Sequence, residues 1–264
     1  MPAQLDFLDY VRRESGRFAT VLADADPSRP VPSCPDWDAA DLVWHLTEVQ
    51  LFWGAIVRDR LADPGPAQAA MPERAAQYPA LLAQFREASA ALIAALDDTA
   101  DNVSMWTWSD DHSAGFIRRR QAHEALIHRL DAELTTGSLS AVDPALATDG
   151  VDEALRFMYG GSPAWGTFTP GPGTGRIATA DTGSQWFVQL GRFRGTSPST
   201  GTTYDDPSLQ VVEGGTSPAT FSVTASARDL DAWLWNRPPL EDITVEGTGE
   251  HFEEFRAIVA EGVQ

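Results

Sequence analysis

Five histidines stand in this 264-residue chain: His45, His112, His123, His128 and His251. His128 follows Glu124 by four residues in AHEALIHRLDAE, residues 122–133. On a helix that spacing puts both side chains on one face, one turn apart, where both can reach a common cation. His123 points about 100° away from Glu124 and is a poorer partner for His128. His45 lies in DLVWHLTEVQLFW, residues 41–53, among Leu42, Val49 and Phe52 at helical spacing. That context turns it inward, and a polar ring inside a helical layer requires a partner. If the two helices face each other, His45, Glu124 and His128 form a set of two histidines and one carboxylate. Three protein ligands leave one position open, as in catalytic zinc sites. A cation there acts as a Lewis acid or lowers the pKa of a bound water or thiol. A Glu-x-x-x-His pair is also a common surface feature of helices, and spacing alone leaves both readings open.

Four helical segments carry these residues. The first begins near Leu5, with Leu8, Val11, Phe18, Val21 and Leu22 near 3.6-residue spacing. Prolines at 27, 30, 32 and 35 then interrupt it. The second, capped by Asp36 or Asp38, runs to about residue 61 and ends before Pro64, Gly65 and Pro66. The third covers residues 78–96 and is rich in Ala and Leu. The fourth covers residues 115–135. Four helices of about 20 residues predict a four-helix bundle, although two of the connecting loops are long for a simple up-and-down arrangement.

After residue 137 the texture changes. Residues 160–175 hold six glycines and three prolines and read as a loop. Short β-type runs follow at 176–180, 185–190, 209–212, 220–224 and 243–246, with helical segments at 149–158, 228–235 and 250–259. The expectation is a two-domain α+β chain, residues 1–140 helical and 141–264 a small α+β domain.

Composition limits the function. Acidic residues number 38 and basic residues 19, all arginine, for a formal charge of −19. Without lysine there is no Schiff base, no pyridoxal phosphate anchor and no Walker lysine. The acidic field repels nucleic acid and anionic membranes, so neither is an expected partner. The single cysteine, Cys34, excludes an internal disulfide and suits a reducing cytoplasm. Its neighbours Asp36 and Asp38 argue against a reactive thiolate. The first residues show neither a secretory signal nor a long apolar run.

Two segments carry a family resemblance. PSCPDWDAADLVWHLTEVQLFW, residues 32–53, resembles the N-terminal helical signature of the mycothiol-dependent maleylpyruvate isomerase family, within the DinB-like metal-binding bundles. AHEALIHRLDAE resembles that family's second signature. The resemblance implies that His45, Glu124 and His128 ligate a divalent metal, zinc first, with nickel or iron(II) also suited to the donor set. It implies mycothiol as thiol cosubstrate, its sulfur bound as thiolate and added to a small electrophile. It also implies a catalytic Arg237 in LDAWLWNRPP, residues 230–239, where a guanidinium can grip a carboxylate through two parallel bonds. An arginine just past a helix is equally at home satisfying the helix C-terminus.

Other readings are thiol-independent hydrolysis by the same cation and a non-catalytic binding module. The oligomeric expectation is a monomer or weak homodimer. Asp131 is expected to pair with Arg129 or Arg120 at the surface; the alternative is that it orients the His128 ring. The run Arg118–Arg119–Arg120 reads as mostly a solvated face. The tryptophans are expected to be mostly core, with Trp53 and Trp235 the candidates to line a pocket near the metal, and His112 and His251 are expected to be exposed.

Overall fold

The structure is a computed structural model that describes residues 5–215, 218–247 and 249–262. The first four residues of the N-terminal stretch read above lie outside it. The chain divides into two compact units, Met1–Ala141 and Val142–Gln264.

The first unit is built on four long helices: α1 (Phe7–Val21), α2 (Ala39–Asp59), α4 (Tyr78–Asp97) and α5 (Ala114–Thr136), with the short α3 (Gly65–Ala69) between α2 and α4. Local chemistry sets their ends. Asp6 caps α1 by accepting the amide of Asp9. Asp38, not Asp36, caps α2: Asp38 and Asp41 each accept the other's backbone N–H in a reciprocal capping box. Ser113 caps α5, and Gly137 ends it at φ +72°, a conformation that costs glycine no Cβ clash. α1 packs on α4 and α5, and α2 packs on the same two helices. Phe18, Leu42, Leu46, Leu81 and Phe85 fill the space between them, the Phe18 and Phe85 rings 4.8 Å apart. Burial of each such side chain is worth roughly 1.5–3 kcal/mol.

The proline-rich segment is not only loop. It forms a short antiparallel hairpin, β1 (Pro30–Val31) and β2 (Cys34–Asp38), which leads directly into α2. Among the described residues, no helix is long and apolar enough to cross a membrane.

α5 is the central helix, with 17 of its 23 residues buried. It nonetheless carries Arg120, Arg129, Asp131 and Glu133, so each of these charges must be compensated inside. On the side facing α1, Arg129 donates to Glu14 at 2.7 Å, to Glu133 at 3.2 Å and to Ser140 at 2.7 Å. Arg17 closes that network with a 2.8 Å bond to Glu133.

The second unit holds α6 (Pro144–Glu153), a π-helical turn (Ala154–Met158), β3 (Gly166–Thr179), β4 (Gln185–Thr196), β5 (Thr203–Val211), β6 (Phe221–Ala225), α7 (Ala227–Leu234), β7 (Thr244–Glu246) and α8 (Glu250–Ala260). The five strands form one sheet in the order β5-β4-β3-β6-β7, with β3–β6 parallel and the other pairs antiparallel. Ile177, Val188, Leu190, Val223, Leu230 and Phe255 lie in one core between sheet and helices. The fold is therefore α+β, a helical unit followed by a mixed one.

One stretch departs from its sequence expectation. The segment read as loop over 160–175 becomes strand from Gly166 onward. Its glycines are seats for aromatic rings: a Cβ at Gly166 would lie 2.0 Å from the Phe193 ring, and one at Gly175 would lie 2.3 Å from the Phe221 ring. Here glycine permits close approach across strands, a use that composition alone reads as a turn.

Candidate metal centre

α2 supplies His45, and α5 supplies Glu124 and His128 one turn apart. The Nε2 atom of His128 lies 3.2 Å from Glu124 Oε1, and the Nε2 atom of His45 lies 3.5 Å from that same oxygen. One donor atom from each of the three residues falls within 4.8 Å of the others. A zinc ion about 2.0–2.1 Å from each donor, with tetrahedral angles, separates donors by about 3.4 Å. The two Glu124 separations have that length, so the donor set and its spacing fit a divalent cation. The three side chains grade from closed to open: His128 is 5% exposed, Glu124 13% and His45 34%. The cluster is thus reachable from solvent on the His45 side.

Asp131 is not at the surface. It is fully buried, and its Oδ2 lies 2.9 Å from His128 Nδ1. Its other oxygen accepts a 2.5 Å bond from Ser33, on the hairpin before α2. In the neutral ring, an Nδ1 proton held by Asp131 leaves the lone pair of Nε2 for a cation, as a ligating ring requires; without a cation, a proton on Nε2 bonds Glu124. The hairpin also supplies Trp37, whose ring centroid lies 4.6 Å from that of His45 and 6.2 Å from that of His128.

Electrostatics follow from this packing. Burial alone would raise the Glu124 carboxyl; hydrogen bonds from His128 and His45 and the Arg120 charge outweigh it and hold the carboxyl well below its ordinary value. Burial alone would lower His128; its bonds to Asp131 and Glu124 prevail, and the net direction is upward.

The arginine triplet is not a solvated face. Arg120 is 3% exposed and donates to Glu124 Oε2 at 2.8 Å. Arg118 donates to the carbonyls of Leu96 and Thr99 at 2.5 and 2.7 Å, and so serves the C-terminal end of α4. A buried helix turns such residues inward: Arg118 finds its carbonyls at the end of another helix, and Arg120 finds its carboxylate one turn along its own.

Trp53 is a core residue, 6% exposed and stacked on Trp106 at 5.8 Å within the helical unit, while Trp37 has ring contacts with His45 and His128. Trp235 is buried at the end of α7 in the second unit. His112 is exposed and His251 half-buried. His123 is fully buried, its ring edge-on to Phe7 at 6.0 Å.

Arg237 lies just past α7 in the second unit. Its backbone N–H bonds the Ala232 carbonyl at 2.8 Å, and its guanidinium donates to the Trp235 carbonyl at 2.7 Å. Those contacts serve the C-terminus of α7. Ser33 and Trp37 are the site neighbours that sequence reasoning did not single out, and Arg120 was read as a surface charge rather than as a partner of Glu124. Arg120 had an available signal, standing four residues before Glu124 as Glu124 stands four before His128.

Comparison with known proteins bears on the whole chain. The profile of the mycothiol maleylpyruvate isomerase N-terminal domain matches residues 8–133, and that of the MDMPI C-terminal domain matches residues 145–253. The crystal structure of the mycothiol-dependent maleylpyruvate isomerase superposes with a TM-score of 0.56 at 12% identity, over 92% of this chain and 93% of that one. A histidine-to-alanine mutant of that enzyme gives a TM-score of 0.57 at 10% identity, with the same coverage. At such identities these structures establish a shared fold. No curated protein sequence matches the chain. With the two domain profiles spanning helical and mixed units alike, the chain belongs to the mycothiol-dependent maleylpyruvate isomerase family.

Proposed function

We propose that this protein is a metal- and thiol-dependent transferase or isomerase of the cytoplasm. His45, Glu124 and His128 are its metal ligands, mycothiol its thiol cosubstrate and a small electrophile its substrate. The observation that carries the reading is the convergence of the two Nε2 atoms on Glu124 Oε1, with the other ring nitrogen of His128 2.9 Å from Asp131. A divalent cation bound there supplies a lowered thiol pKa, and hence a nucleophile at neutral pH.

The chain's own residues do the rest. Glu124 stays ionised as the anionic donor. Asp131 and Ser33 fix the His128 ring. Trp37 stands beside the more exposed histidine and offers an apolar face next to the entrance. Arg237 is the candidate carboxylate grip; a substrate carboxylate would compete with the Trp235 carbonyl for its donors.

The test is turnover of maleylpyruvate and of generic electrophiles by zinc-loaded protein with and without mycothiol. Thiol-dependent turnover supports the reading. Hydrolysis that proceeds equally without thiol replaces it with a metal hydrolase, and no turnover together with no thiol binding leaves a binding module.

A further inference from the structure

We propose that Arg120 is a positioning residue that makes Glu124 a one-oxygen ligand and thereby sets the coordination number of the cation. The inference rests on the metal reading above and adds a residue to it. Arg120, Glu124 and His128 stand at successive four-residue steps on α5, one row along one face. The two carboxylate oxygens of Glu124 have divided roles. Oε2 accepts the 2.8 Å bond from Arg120, whereas Oε1 is the atom that both Nε2 atoms approach, at 3.2 and 3.5 Å. A carboxylate can bind a cation through one oxygen or through both. A guanidinium on the second oxygen opposes the two-oxygen mode, because its donors and the cation compete for the same lone pairs.

Arg120 is 3% exposed, so the pair is not one of the surface bridges that water loosens. Its burial also explains a feature that the metal reading alone does not require: a fixed positive charge placed deep in the unit, directly beside a cation's ligand. Orientation of the ligand is a reason to hold a cation against another cation's site.

The experiment is visible spectroscopy of cobalt(II)-loaded protein, which reads coordination number without reference to activity. The parent, R120M and R120K are stripped with chelator, loaded with cobalt(II) and compared, with circular dichroism confirming the fold. The parent is expected to show the intense visible bands of low-coordinate cobalt. R120M is expected to lose several-fold in band intensity as the freed Oε2 joins the metal, and R120K, which keeps a cation beside Oε2, is expected to retain the parent spectrum. If R120M does not fold, R120L, which likewise has no donor for Oε2, takes its place with the same expectation. A folded R120M or R120L with the parent's spectrum overturns the proposal and leaves Arg120 a structural charge partner. A parent that binds no cobalt overturns the metal reading itself, a separate outcome.

Discussion

His128 and Asp131 meet inside the helical unit, Nδ1 to Oδ2 at 2.9 Å, with the carboxylate fully buried and tied by its other oxygen to Ser33. The same helix therefore carries a proposed ligand and, three residues on, the group that would orient it. Partners of this kind typically govern metal affinity by about 10–100-fold. Asp131→Ala is expected to weaken zinc binding by about that factor, with Asp131→Asn intermediate because its carbonyl still accepts from Nδ1. Chelator competition measures it. Affinity unchanged in both variants would show that Asp131 does not position the ring.

The proton on His128 gives a pH dependence with a defined sign. Its folded value is raised above the ordinary 6.5, against burial and in favour of its two carboxylate partners. In the metal-free protein that proton stabilises the fold fully below the ordinary histidine value, and the contribution is lost as pH rises through the folded value. Metal must displace it. Zinc affinity is therefore expected to fall about tenfold per pH unit below the folded value, with proton release on binding. Calorimetry at pH 6.5 in two buffers of different ionisation enthalpy reads the release directly. Identical heats in both would contradict it.

Arg129 lies on the other side of α5, between Glu14 and Glu133, and does not touch the ligands. Removing one partner of a buried ion network leaves uncompensated charge, at a cost of about 3–5 kcal/mol. Arg129→Met is expected to destabilise the chain on that scale in urea unfolding while any remaining folded protein keeps its metal affinity. A loss below about 1 kcal/mol would mean that water enters and screens the network.

For Arg237→Ala the two available roles separate cleanly. As a carboxylate grip it lowers turnover and raises KM for carboxylate substrates while metal content stays at parent level. As a cap for α7 it lowers stability by about 0.5–1 kcal/mol and leaves turnover alone. We expect the first pattern; stability loss with parent turnover would assign Arg237 to the helix end.

The cluster of His45, Glu124 and His128 was legible in the sequence because helical periodicity is local. Four residues separate Glu124 from His128, and the apolar neighbours of His45 turn that helix toward its partners. The reach of α5 into the core was not legible, because burial on every side comes from helices distant in the chain. Hence Arg120 and Asp131 read as surface charges, although both are buried. Trp37 and Ser33 sit in a proline-rich segment that looks like plain loop, and only its pairing into a hairpin aims them at the site. In the mixed unit, β6–β7 and α8 followed from short apolar runs. The first half of β3 did not, since its glycines serve to admit Phe193 and Phe221 rather than to turn the chain.

The central claim is that His45, Glu124 and His128 together bind one divalent cation. Zinc titration of chelator-stripped parent, His45→Ala, Glu124→Gln and His128→Ala, each verified folded by circular dichroism, tests it most directly. About one equivalent of zinc per parent chain is expected, with affinity reduced at least about 100-fold in each variant. A parent that takes up less than about a tenth of an equivalent, or variants that bind zinc as the parent does, would contradict the claim.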